Sequence, residues 1–179
     1  IFLPCATSLV SYAIIFRSLF AIDGFINVML MKLGILKTGY NFLAYPNSAR
    51  AVIIIALIWR WTGYNTVIIL GGLQNISADL YEAASIDGAT KVKQFFEITI
   101  PGVKPVLLFS VVISVTGILQ LFTEPNLITK GGPVNETLTI VQYLYNTGFV
   151  AFNYGVASAG AYILAIMIAI LTYIQLKVT

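Results

Sequence analysis

Residues 81–101 read YEAASIDGATKVKQFFEITIP. Glu82, Asp87, Lys91, Lys93 and Glu97 make this stretch polar in a chain that is otherwise oily. Only 9% of the 179 residues are charged and 59% are hydrophobic, whereas a soluble domain carries about 25% charged residues. The composition is that of a membrane protein, so the stretch reads as a connection between spans. Residues 79–87, DLYEAASID, hold good helix formers and the small Ala83 and Ala84. Gly88 offers a sharp turn. In residues 89–97, Val92, Phe95 and Phe96 recur at i, i+3 and i+4, one face of a second helix. Lys91, Lys93, Gln94 and Glu97 take its other sides. Pro101 is expected to limit that helix, and Pro105 to sit near the first turn of the next span. Two short helices meeting at a glycine on the membrane surface suit a solvated loop. They also suit an element that docks a partner, since small alanines let a partner backbone come close.

Working outward, four apolar stretches reach the roughly 20 residues a bilayer requires: 1–20, 51–73, 103–123 and 155–176. None alternates as a barrel strand does, so the expected fold is all-α, a polytopic transmembrane helix bundle. Connections fall at 21–50, 74–102 and 124–154, the last containing the turn signal KGGPVNETLT. Asn135-Glu136-Thr137 fits a glycosylation acceptor pattern, which we read as a chance match. Basic residues do not orient the bundle. Lys32, Lys37, Arg50 and Lys130 lie in the first and third connections, against Lys91, Lys93, Lys104 and Lys177 at the second and at the end.

Several classes are disfavoured. The net charge of +3 comes from basic residues spread along the chain, with no nucleic-acid footprint. One cysteine, Cys5, makes no internal disulfide. The absence of histidine removes the commonest general base and metal ligand. No nucleophile–base pair or metal-ligand cluster is evident, so no catalytic and no metal residues are expected. No glycine precedes a lysine, so the chain has no phosphate-binding P-loop. If ATP drives it, another chain binds the ATP. The run from Ile1 lacks a basic leader and a cleavage site, and the sequence is read as part of a longer protein.

Polar groups inside the apolar stretches are candidates for a solute path. Arg60 sits near the middle of the second stretch, and an intramembrane arginine is a functional hypothesis by default. It suits structural pairing with a carboxylate or with backbone carbonyls equally well. Trp59, Trp61 and Tyr64 surround it. Rings with polar edges suit sugar recognition, core packing or an interfacial belt. Ser114, Gly117 and Gln120 share a helical face, a pattern that usually marks helix packing.

The spacing Glu82-Ala83-Ala84, three residues, Gly88, nine residues, Ile98-Thr99-Ile100-Pro101 resembles the EAA loop of ABC-importer permeases, EAA-x3-G-x9-I-x-L-P. Ile100 in place of leucine is the one departure. Leu3-Pro4, Gly24-Phe25-Ile26-Asn27 before Gly34, and Gly131-Gly132-Pro133 followed by Thr137 and Thr139 are similar to elements of the carbohydrate branch. The GGP segment resembles that of the maltose-importer-like channel subunit. The likeness runs along essentially the whole chain. Such permeases have six or more spans, so residues 1–179 would be one transmembrane permease domain made of the last four.

The resemblance implies that residues 79–101 form a cytoplasmic coupling loop. Glu82, Ala83, Ala84, Asp87, Gly88, Ala89, Phe95, Phe96 and Pro101 would be its ATPase-coupling residues. Glu82 would pair with a basic group, and Gly88 would make the turn. It implies a substrate path at Arg60, Trp61, Tyr64, Ser114, Gly117 and Gln120, with Tyr64 and Ser114 at positions of polar sugar contacts. Leu57 and Ile118 are apolar at neighbouring lining positions. The implied partners are a second, unlike permease, two ATP-binding subunits carrying ATP and magnesium, and an extracytoplasmic solute-binding protein. The implied location is the bacterial inner membrane, multi-pass. This chain would perform no bond chemistry and hold no cofactor. Rival readings are the same importer class carrying glycerol phosphate, a polyol or another small solute, or an ion-coupled secondary transporter. The latter would normally place ionisable relays in its spans, whereas Asp79, Glu82, Asp87 and Glu97 lie in the loop.

Overall fold

A computed structural model describes residues 2–177, and every regular element among them is helical. Short helices α1 (Leu3–Ala6), α2 (Leu9–Leu19) and α3 (Phe25–Lys32) precede the long α4 (Pro46–Gln74). Pro46 opens α4, where its missing N–H costs nothing. Helix α5 (Ala78–Ile86) and α6 (Lys91–Gln94) form the polar connection. From α6 the chain passes through a π-helical turn (Phe95–Thr99) into α7 (Ile100–Leu119). A second π turn (Pro125–Thr129), α8 (Ile140–Tyr145), a third π turn (Asn146–Val150) and α9 (Tyr154–Lys177) complete the order.

Among the described residues, three helices are long and apolar enough to cross a membrane: Pro46–Gln74, Lys91–Leu119 and Tyr154–Lys177. The first expected span differs, and its position 1 lies outside the described residues. The chain breaks at Thr7 and Ser8, whose backbones are extended. The Thr7 hydroxyl donates to the Pro4 carbonyl at 2.7 Å, a local bond that competes with helix continuation. The 11 residues of α2 span roughly 16 Å, half a bilayer core.

The second difference is at Pro101. It does not end a helix, because Lys91–Leu119 is continuous. A proline inside a helix removes an i→i−4 bond. Here the ladder has already shifted register, with Ile100 N–H donating to the Phe95 carbonyl five residues back. The apolar stretch read as 103–123 therefore begins earlier, in the polar connection itself.

Helices α4 and α7 pack antiparallel. A Cβ built on Gly72 would meet the Val106 side chain at 2.9 Å, and one on Gly102 would meet Ile76 at 2.7 Å. Small residues let the two backbones approach. Further along, Ser110 Oγ donates to Asn65 Oδ1 across the same seam. The hydrophobic core lies at the other end, where Tyr12, Ala13 and Phe16 of α2 meet Val52, Ala56 and Ile128. Arg50 at the start of α4 forms an ion pair with Glu136, which ties the third connection to that end. The polar connection lies at the opposite end of α4.

Candidate functional site

The connection between α4 and α7 is built as a closed corner. Ser77 caps α5 by accepting from Asp79 N–H at 3.3 Å. At the other end, Gly88 N–H donates to the Ser85 carbonyl at 3.1 Å and Ala89 N–H to the Ala84 carbonyl at 2.9 Å. These two bonds, with Gly88 at φ +77°, form a Schellman C-cap. Thr90 then caps α6 by accepting from Lys93 N–H. The two helices and the glycine turn stand where the sequence placed them.

Helical period puts Gln94 on the polar side of α6, yet it is 3% exposed. It points back into the corner. Its Nε2 donates to Ser85 Oγ at 2.8 Å and the Tyr81 carbonyl at 3.3 Å, and Lys91 Nζ donates to its Oε1 at 3.2 Å. The Tyr81 and Thr99 hydroxyls bond at 2.9 Å. Nothing in a helical-period reading singles out Gln94, Tyr81 or Thr99. Their partners are set by the angle at Gly88.

With the corner held from inside, its outer surface is apolar and free. Ile86, Val92, Phe95 and Phe96 are 86%, 67%, 50% and 61% exposed, and the two phenylalanine rings meet edge to face at 5.3 Å. Glu82, Ala83 and Asp87 are exposed, and Ala84 and Ala89 are half-buried. Lys93 and Glu97 approach to 4.0 Å in an exposed pair that contributes little. These exposed apolar side chains stand beside the exposed charges of Glu82, Asp87, Lys93 and Glu97.

The candidate path residues do not converge on one cavity. Trp61 and Tyr64 pack edge to face at 5.6 Å. The α4–α7 register, set by Asn65–Ser110 and Gly72–Val106, brings Ser114 level with this pair. Gly117 is exposed, with nothing within 4 Å of where a Cβ would stand. Gln120 instead edges an apolar groove of about 580 Å³ lined by Phe122, Leu144, Tyr145, Tyr154 and Leu164, between the end of α7, α8 and α9.

Arg60 is buried and donates to the carbonyls of Thr7 at 3.1 Å, Pro4 at 3.3 Å and Cys5 at 3.4 Å. The Cys5 and Thr7 carbonyls lie where α1 stops, among the groups a helix end leaves without partners, and the Pro4 carbonyl is shared with the Thr7 N–H and hydroxyl. Its guanidinium lies 4.8 Å from the centre of the Tyr12 ring, a cation–π contact. The Tyr12 hydroxyl donates in turn to Glu124, which is 3% exposed. Glu124 was not singled out in the sequence, where it stands beside Pro125 in a connection. Burial of Glu124 in contact with α2 is a tertiary fact. The carbohydrate-branch elements also have local duties. Asn27, fully buried, donates to the Ala21 and Tyr40 carbonyls and accepts from Tyr40 N–H. The Thr137 hydroxyl bonds that of Thr129 at 2.6 Å and the Gly132 carbonyl at 2.7 Å.

Comparison with known proteins gives the same lineage throughout. The family described as binding-protein-dependent transport system inner membrane component matches residues 3–177. The lactose transport system permease protein LacF of Rhizobium radiobacter is 45% identical over 98% of this chain and 60% of its own length. The arabinooligosaccharides transport system permease protein AraP of Bacillus subtilis (strain 168) is 35% identical over 100% of this chain and 58% of its own. The chain thus spans about three fifths of the length of these relatives. Among solved structures, a bacterial ABC transporter involved in import of the acidic polysaccharide alginate superposes with a TM-score of 0.87 at 27% identity. That match covers 99% of this chain and 62% of the other. The alginate transporter in complex with an alginate pentasaccharide-bound periplasmic protein gives 0.83 at 27% identity, over 97% of this chain and 60% of the other.

Proposed function

The chain belongs to the family of binding-protein-dependent transport system inner membrane components, and we propose that it forms the channel subunit of an ATP-driven importer for a sugar or oligosaccharide. The observation that carries this reading is the polar corner. It is closed internally by its own hydrogen bonds, and it leaves Ala83, Phe95, Phe96 and the Glu82 carboxylate open to a partner. Such a surface suits docking in the cleft of a separate ATP-binding subunit. ATP and magnesium would reside there, because this chain has no P-loop.

In this reading Glu82 pairs with a basic group of the ATPase, and Gly88 with Ala89 shapes the knob that enters the cleft. Asp87, at the end of α5, keeps the turn polar and solvated. Two such ATPases, a second unlike permease and an external solute-binding protein complete the assembly. Solute delivered outside enters between the permeases. ATP binding draws the ATPases together and moves the corner, and hydrolysis resets it. A ligand of one subunit shifts another only through differential binding of two states, and the corner is the surface through which that difference would pass. The register that brings Ser114 level with Trp61 and Tyr64 supports a sugar-lining surface that the facing permease would close. The names of the lactose and arabino-oligosaccharide relatives support a saccharide cargo. Arg60 lends no support to an anionic cargo, since both terminal nitrogens of its guanidinium already face carbonyls and its remaining donor, Nε, is buried.

The test is co-purification of the full-length gene product from its source membrane, unmodified and with Glu82→Lys and Gly88→Leu together. The unmodified chain is expected to bring down an ATPase that the variant loses while remaining folded. A folded, transporting wild type that carries no ATPase would overturn the assignment in favour of an ion-coupled transporter.

A further inference from the structure

We propose that Gln94 is a positioning residue that makes the corner and the span α7 one rigid lever, so that displacement of α5 reaches the membrane without loss. This rests on the coupling role proposed above and names the side chain through which it would act. Three observations converge. First, Gln94 is the one fully buried residue of the corner, and its amide joins the two limbs. It donates to Ser85 and Tyr81 on α5 and accepts from Lys91 on α6. Second, α6 is continuous with α7 through the π turn, in one helix from Lys91 to Leu119. No flexible connection separates the corner from the span. Third, Tyr81 of α5 reaches past Gln94 to Thr99, at the end of the π turn. The helix α5 is therefore fixed to the base of the span at two levels.

The turn at Gly88 alone does not provide this. Its backbone is in the left-handed region with open space around it, and α5 could swing about it. The buried amide prevents the swing, because leaving its donors and acceptors unpaired on opening is costly. The polar Gln94 at this position is thus explained by mechanics.

The experiment uses the full-length chain in its complete importer complex, in a Cys5→Ser background. Nitroxide labels are placed at Asp79→Cys on α5 and Val111→Cys on α7, both exposed. Their separation is measured by pulsed electron resonance at rest and after trapping with ATP and vanadate. With Gln94 present, one narrow separation is expected in both states, because α5 and α7 move together. Gln94→Met keeps the length and removes the amide. The separation should then change on trapping, with about tenfold more of the chain in an opened corner, while the ATPase still co-purifies. Tyr81→Phe deletes one oxygen and should move the separation the same way by less. Ser85→Ala removes an acceptor of the Gln94 amide and serves as the readout if Gln94→Met fails to assemble, with the same direction of change expected.

A separation that stays narrow in Gln94→Met under trapping overturns the proposal. So does a wild-type separation that itself changes, or a Gln94→Met distribution that is broad at rest yet indifferent to trapping. Absence of any co-purifying ATPase refutes the coupling role separately. The resting distributions then still test the clamp, and equal widths with and without the amide would overturn it.

Discussion

Gly88 sits at φ +77° with nothing within 4 Å of where a Cβ would stand, so the backbone, not crowding, selects glycine there. The left-handed region costs an L-residue about 1–2 kcal/mol, and asparagine tolerates it better than most. Thermal unfolding of the purified protein should therefore rank Gly88 above Gly88→Asn, then Gly88→Ala, then Gly88→Val. Equal melting of glycine and alanine would show that the turn relaxes. Arg60 allows a sharper contrast. If it anchors the α1 carbonyls, Arg60→Met leaves those of Cys5 and Thr7 without their donor, at up to about 1–3 kcal/mol for each group, while that of Pro4 keeps the Thr7 hydroxyl. The melting temperature should drop markedly, and uptake should fall in proportion to folded protein. Unchanged melting with altered solute preference would instead place Arg60 on the path. For Glu124, glutamine keeps a carbonyl to accept from Tyr12 and should be mild. Glu124→Ala strands the Tyr12 hydroxyl and should cost about 1–3 kcal/mol.

Between helices, the seam of α4 and α7 is set by contacts that leave little room. A methyl at Gly72 would stand 2.9 Å from Val106, and one at Gly102 would stand 2.7 Å from Ile76. Overpacking of this kind costs about 1–3 kcal/mol. Gly72→Ala is expected to lower stability by that amount, and Val106→Ala alone to cost less, by lost packing. The pair together should recover most of the difference, a coupling that a double-mutant cycle in denaturant or heat measures directly. Additive losses would mean that the helices separate rather than strain. This seam also marks where the sequence could be read and where it could not. Length and apolarity located α4 and α9 to within a few residues, because a span must be long and uncharged whatever it packs on. The corner's two helices were legible from Gly88 and the i, i+3, i+4 pattern of Val92, Phe95 and Phe96. The continuous helix through Pro101 was not. A proline is a local stop signal, and only the shifted ladder, with Ile100 bonded to Phe95, removes the penalty. The burial of Gln94 is hidden for a related reason. Helical period assigns it to a polar face but cannot say that α5 folds back over that face.

Taken together, the membrane helices leave most of their surface uncovered. The spanning windows of Lys91–Leu119 and Tyr154–Lys177 are only 11% and 6% buried within the chain, so lipid or other protein must cover them. The orientation of the bundle escaped the charge count, which balanced, and was implied only by the resemblance of the corner. The fold gives that orientation a direct test. Asp87 lies in the corner before the helix Lys91–Leu119, and Val134, 89% exposed, lies in the connection after it. A 29-residue helix is roughly 43 Å long, enough to cross the bilayer once and hold its two ends in different compartments. Ile128, buried against α2 and the first half of α4, and the Arg50–Glu136 pair set the later connection at the start of α4, away from the corner. In a Cys5→Ser background, Asp87→Cys in the full-length chain should react with a membrane-impermeant maleimide only in inside-out vesicles. Val134→Cys should react only in intact spheroplasts. The opposite assignment would turn the corner outward, away from any cytoplasmic ATPase, and refute the coupling role while leaving the fold intact. Labelling of both from one side would mean that Lys91–Leu119 does not span, and the exposed apolar faces of α7 and α9 would then require a covering protein instead of lipid.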